Sequence, residues 1–110
     1  MKRLPNIHPG EILEEEFLKP LGMSSYRLAK EIGVSQTRIS QILQYKRSIS
    51  VDTALRLSAF FGNSAEFWLG LQIDFDLEEE RHSKEKQLAQ IKLYSKSKVE
   101  RQRIKQKSAR

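Results

Sequence analysis

Serine recurs in this chain at places where a helix start would bring its apolar neighbours together. Ser24 stands between Met23 and Leu28, Ser35 between Val34 and Ile39, and Ser50 between Ile49 and Ala54. A serine just before a first helical turn accepts from a backbone N–H that has no partner inside the helix. The residue before it then packs against the fourth residue after that turn begins. Ser64 can open a further helix over "AEFWLGLQIDFDL", and His8-Pro9 places proline in the first turn of the earliest one, with Ile7 and Ile12 on either side. Gly22, Gly33 and Gly62 fall where these helices should stop, as left-handed closing residues do. No segment alternates with period two. The chain is therefore expected to be all-α, with five short helices around one small core.

Charge is distributed unevenly. The net of +6 combines residues 1–80, with 9 Lys+Arg against 12 Asp+Glu, and residues 81–110, with 11 against 2. The basic character thus belongs to the tail. Screening limits the reach of a charge to about 8–10 Å at physiological salt, so local balance matters more than the total. Residues 24–56 carry Arg27, Lys30, Arg38, Lys46, Arg47 and Arg56 against only Glu31 and Asp52. No cysteine is present, no apolar stretch approaches a membrane span, and the N-terminus lacks the apolar core of a signal peptide. A cytoplasmic protein with no membrane association is the expectation.

Within the locally basic window, "GVSQTRISQIL" carries Val34, Ile39, Ile42 and Leu43 on one side of a helix. The other side holds Gln36, Thr37, Arg38, Ser40, Gln41 and Gln44, with no carboxylate. Acidic residues in a first turn would favour the helix dipole, so their absence costs local stability. Avoidance of phosphate explains it. Arg, Gln and Asn match the mixed donors and acceptors of the major groove, with Ser and Thr as adaptable partners. Ala29, Gly33 and the branched anchors after it have the spacing of a helix-turn-helix, although an α-hairpin without a ligand shares part of that pattern. Gln36, Thr37, Arg38 and Gln41 are the candidates for base contact. Ser40 and Gln44 are within reach of base or backbone and are assigned to backbone. Ser25, Arg27, Ser35, Lys46, Arg47 and Thr53 are the remaining backbone candidates, each as readily a solvated surface group if taken alone.

The fifth helix is apolar on two sides. At about 100° per residue, Phe67, Trp68, Leu71 and Phe75 cluster, and Leu69, Ile73 and Leu77 lie roughly opposite. Such a helix must be covered all round. Leu69, Ile73 and Leu77 are the candidate dimer interface, because helical DNA readers commonly act as two-fold pairs; a fully intramolecular core helix is the alternative. The domain is expected to span residues 1–77. Residues 78–110 form a charged extension, helical to about residue 94 and mobile when isolated beyond it, since Lys, Arg, Gln and Ser cannot offset the entropy of ordering. That basic run would serve either as a non-specific nucleic-acid contact or as a solvated end.

"LAKEIGVSQTRISQIL" resembles the helix-turn-helix of the Xre/Cro/434-repressor-like family. "HPGEILEEEFLKPLGMS" before it and "KRSISVDTALRLSAFFGNSAEFWLGLQIDFDL" after it resemble the HigA-type antitoxins, also called VapI or plasmid-maintenance antidote proteins, from about His8 to Leu77. The resemblance implies a five-helix lambda-repressor-like domain. It also implies a homodimer that binds double-stranded operator DNA, represses its own operon, and neutralises a small basic HigB-like toxin, a RelE-like mRNA-cleaving protein. A helix-turn-helix regulator with no toxin partner is the alternative. Glu11, Glu14, Glu15 and Glu16 then become candidate toxin contacts, by charge complementarity with a basic ribonuclease; otherwise they are a solvated face that favours the helix N-terminus. One departure is "QYKR", where Tyr45 stands in place of the family's usual glycine.

Catalysis finds little support. His8 and His82 are the only histidines, and no His-x-x-x-His pair or cysteine offers a metal site. The glutamates of the first helix have no apolar pocket to raise a pKa. No enzyme activity, metal or cofactor is expected, and His8 is read as the residue that opens the first helix.

Overall fold

The computed structural model describes residues 5–94, all helix and connecting turns. Pro9–Ile12, Leu13–Leu18 and Lys19–Leu21 run on without a break as one helix, α1. Then follow α2 (Ser25–Ile32), α3 (Gln36–Leu43), α4 (Val51–Phe61), α5 (Ala65–Ser83) and the short α6 (Glu85–Ala89). These are the five expected helices and one additional turn. Ser24, Ser35, Ser50 and Ser64 each accept from the backbone N–H three residues on, at 3.0–3.2 Å. Gly22, Gly33 and Gly62 close their helices with φ of 61°, 74° and 79°.

Three features depart from simple helical periodicity. The first is the middle of α1, which is π-helical over Leu13–Leu18, so that Lys19 N–H donates to the Glu14 carbonyl five residues back. Pro20 has no N–H and its ring would crowd the carbonyl of Glu16, which an α-helix would place against it. The wider turn also brings Leu13 and Leu18 into one core, whereas residues five apart on an α-helix diverge by about 140°. The second is the cap of α1. Ile7 remains exposed, and His8 closes the helix start instead, its Nδ1 accepting from Gly10 N–H at 2.9 Å.

The third is the rotation of α5. Trp68 and Gln72 are buried, with Leu69 and Leu71 packed against the core, while Phe67 is 40 % exposed. The core-facing side is therefore centred one residue later than the cluster around Phe67 suggested. Gln72 explains the shift: its Oε1 accepts from Ile49 N–H at 2.7 Å and its Nε2 donates to Asp76 at 2.9 Å. A buried amide here satisfies the loop that leads into α4, where an aliphatic residue would leave that N–H orphaned. Of the three candidate dimer residues, Leu69 gives part of its surface to the core. Ile73 and Leu77 remain 54 % and 43 % exposed.

The core joins Leu13 and Leu18 of α1 to Leu28, Ala29 and Ile32 of α2, Ile39 and Ile42 of α3, Ala54 and Leu57 of α4, and Trp68 of α5. Helices α2 and α3 form the closest pair, with α1 against α3 and α2 against α4. The start of α1 approaches α3 without any side chain between them: a Cβ on Gly10 would lie 2.0 Å from the Ile42 carbonyl oxygen.

Contacts divide the chain after Glu80, three residues beyond the boundary read from composition. In the second unit, α6 ends at Ala89, short of the expected residue 94. Leu88, Ile91, Leu93 and Tyr94 are all exposed, so this segment lacks the apolar burial that lengthens a helix in a protein. The expectation for residues 95–110 lies outside the described residues. No helix among the described residues is long and apolar enough to cross a membrane.

Candidate nucleic-acid interface

Gln36 and Thr37 occupy the first turn of α3, both exposed, directly after the Ser35 cap. They lie where the two base-reading candidates nearest the helix start were placed. Gln41 is half-buried, and its Oε1 accepts from Arg47 Nε at 2.8 Å. That bond fixes the side-chain amide and ties the turn after α3 back to the helix. Ser40 is half-buried, and Gln44, Lys46 and Arg47 are exposed at the helix end and in the turn. At the start of α2, Ser25 is half-buried and Arg27 exposed. The caps Ser24 and Ser35 use their hydroxyl oxygens as acceptors, which leaves each O–H able to donate to a phosphate.

Two candidates are placed differently from the sequence expectation. Thr53 is 1 % exposed, its hydroxyl oxygen accepting from Ser50 Oγ at 3.2 Å and from Arg38 Nη1 at 3.4 Å. Its hydroxyl is engaged inside the domain and is not offered to a phosphate, in contrast to the backbone contact expected of it. Its position early in α4 was read correctly; its side was not. Arg38 does not project freely from α3. Its Nη1 donates to Asp52 at 2.7 Å, and its side chain is 30 % exposed.

The residues that hold Arg38 were missed. Asp52 also receives Arg56 Nε at 3.1 and 3.2 Å, and Arg56 Nη1 donates to the Ile32 and Gly33 carbonyls at 2.8 and 3.3 Å. These bonds, the one from Arg38 first, hold the Asp52 carboxyl below its ordinary range. A signal was present in the sequence: Asp52 and Arg56 are four apart with the acid first, the favourable order for a helical pair.

Tyr45 follows α3 with φ of 64°, the only non-glycine with positive φ among the described residues. Its ring lies 5.1 Å from that of His8, and its hydroxyl donates to Glu11 at 3.4 Å. Desolvation first, and then the Glu11 carboxylate, raise the phenol pKa. His8 is pushed below its usual value by burial, partly offset by Asp76. This agrees with a neutral ring whose Nδ1 accepts the cap bond. A left-handed backbone disfavours any Cβ, so Tyr45→Gly should fold with an equilibrium constant roughly five- to thirtyfold larger than Tyr45→Ala. Urea titration of the two variants measures it, and an advantage for alanine would place residue 45 outside the left-handed region.

The acidic residues of α1 are not one uniform surface. Glu15 pairs with Lys19 at 2.7 Å and Glu11 accepts from Tyr45, whereas Glu16 is exposed and Glu14 half-buried. The hydrogen bond to Glu15 is the main cause that raises the Lys19 pKa.

A family profile described as helix-turn-helix matches residues 15–68. Virulence-associated protein I of Dichelobacter nodosus is 53 % identical over 74 residues, 67 % of this chain and 68 % of that protein. Antitoxin HigA-1 of Vibrio cholerae is 37 % identical over 81 residues, 74 % of this chain and 75 % of that protein. Among solved structures, the Pseudomonas aeruginosa antitoxin HigA with the higBA promoter superposes with a TM-score of 0.78 at 38 % identity. That match covers 80 % of this chain and 97 % of the other. With its helix-turn-helix pair in place between capped, glycine-stopped helices, the chain belongs to the HigA-type antitoxins, the VapI group of the helix-turn-helix family.

Proposed function

We propose that this chain is the antitoxin of a type II toxin–antitoxin pair, a cytoplasmic homodimer that binds its own operator and represses its operon. The observation that carries the reading is the outer side of α3: Gln36 and Thr37 stand exposed at its capped start, with no carboxylate from Gln36 to Gln44. Gln36, Thr37 and Gln41 read bases in the major groove. Ser25, Arg27, Ser35, Ser40, Gln44, Lys46 and Arg47 hold the backbone. Dimerisation uses Ile73 and Leu77, with the rim of Leu69. Gly70 supports this, since nothing lies within 4 Å of where its Cβ would be and it shares that side of α5. A second α5 can approach closely there, and two α3 helices would meet half-sites about one DNA turn apart.

The toxin is a small, basic, RelE-like mRNA-cleaving protein of the HigB kind. Glu14 and Glu16, with Glu11 and Glu15 beside them, form the acidic side of α1 that attracts it. Co-expression with the product of the neighbouring reading frame tests this directly: growth should be rescued, and unrelieved arrest would remove the toxin partner. DNA reading is tested separately. Gln36→Ala should weaken operator binding by about 1–3 kcal/mol and binding to a scrambled duplex much less. Equal losses on both duplexes, measured by fluorescence anisotropy, would make Gln36 a backbone contact.

A further inference from the structure

Arg38 stands at the third position of α3, where an unrestrained guanidinium would reach for any phosphate that came near. It is instead closed onto the first turn of α4 by Asp52. Asp52 holds Arg56 at the same time, and Arg56 reaches the carbonyls that end α2 and begin the turn. One carboxylate therefore links the first helix of the pair, the turn and the reading helix. Its neighbourhood makes it anomalous. From Ser35 to Val51 the chain carries no acidic residue, and then Asp52 is placed against two arginines with its side chain 55 % exposed.

Stability is a weak reason for it. Exposed ion pairs contribute little, and a favourable charge for the dipole of α4 does not require two arginine partners. Selectivity is a stronger one. A cation free to meet phosphate strengthens binding to every duplex alike, because such contacts carry no sequence information. A cation already neutralised by its own carboxylate gives non-specific DNA much less.

We propose that Asp52 is a positioning residue for DNA selectivity, which keeps Arg38 folded onto α4 and so withholds it from the phosphates of non-operator DNA. The proposal rests on the operator-binding reading above. A well-matched operator brings the base contacts of α3 whether or not Arg38 moves. A mismatched duplex has to compete with Asp52 for the guanidinium.

The test is Asp52→Asn in the full-length chain, with binding to operator and to a scrambled duplex measured by anisotropy across a salt series. The slope of log K against log salt on the scrambled duplex should steepen by about 0.9, one further phosphate contact, with roughly three- to tenfold tighter binding at physiological salt. Operator binding should gain less, so the ratio of the two falls. Asp52→Glu, which keeps the charge, should keep the original slope; a slope as steep as that of Asp52→Asn would overturn the proposal. The Arg38→Ala background separates restraint from simple repulsion. There, Asp52→Asn should add less than twofold, and a full gain would show that Asp52 acts on DNA without Arg38. A change in melting temperature with both slopes unmoved would reduce Asp52 to a structural role. Failure of the unsubstituted protein to bind either duplex would instead remove the operator-binding reading on which the proposal depends.

Discussion

Trp68→Ala is expected to remove about 3–5 kcal/mol of folding free energy, the range for deleting a buried large aromatic. Domains of this size have stabilities of roughly 4–12 kcal/mol, so the substitution should remove at least about a quarter of the total. Trp68 has no exposed surface. Its ring meets Phe17 at 4.9 Å, Phe67 at 5.0 Å and Phe61 at 6.2 Å, and its Nε1 donates to Asn63 at 3.0 Å. Alanine would leave a cavity among three aromatic rings and an Asn63 oxygen without its donor. Because this is the sole tryptophan, unfolding must be followed by circular dichroism. A loss under about 1 kcal/mol would mean that α1, α4 and α5 do not converge on this side chain.

Gly10→Ala is expected to be destabilising by about 1–2 kcal/mol net, and here two effects oppose each other. In a helix interior alanine is favoured over glycine by about 1 kcal/mol. Against that, the new Cβ would lie 2.0 Å from the Ile42 oxygen and 2.9 Å from its carbonyl carbon. Both are backbone atoms, so no rotamer change relieves the overlap. The start of α1 must retreat from the end of α3, and overpacking that forces such backbone shifts costs about 1–3 kcal/mol, occasionally more. The clash wins. Since Ile42 lies in α3, the helix proposed to read the operator, operator affinity should fall with stability, and urea titration beside a binding curve would record both. A variant as stable as the parent would show that α1 and α3 are not in backbone contact.

The helix boundaries were readable because they are written in short-range chemistry. A serine cap, its staple pair and a left-handed glycine occupy positions fixed relative to one another, and the four serines named from sequence all cap. The facing of α5 was less readable, because periodicity treats Gln72 as polar and therefore outward. Only the unpaired Ile49 N–H, distant in sequence, makes that amide an inward residue. Likewise, Arg38 has the right chemistry for a base reader, but its direction is set by Asp52, fourteen residues away. Residue type was sufficient to locate the surface. It was not sufficient to say which side chains on that surface are already engaged. At Tyr45 the departure from the family's usual glycine was visible in "QYKR", while the left-handed φ that the tyrosine nonetheless adopts was not.

The widened turn in α1 gives that helix one more residue than an ordinary coil would use over the same rise. A shorter chain at Leu13–Leu18 could close the turn in the usual way and still seat its leucines. With both leucines held in the core, the loss of one residue between them would remove or turn only the side chains inside that span, Glu14, Glu15, Glu16 and Phe17, and would leave Glu11 in place. A partner that recognises those carboxylates would see a different charge pattern on an unchanged scaffold. The charge pattern of α1 can thus change by the gain or loss of a single codon while the helix keeps its seat in the core.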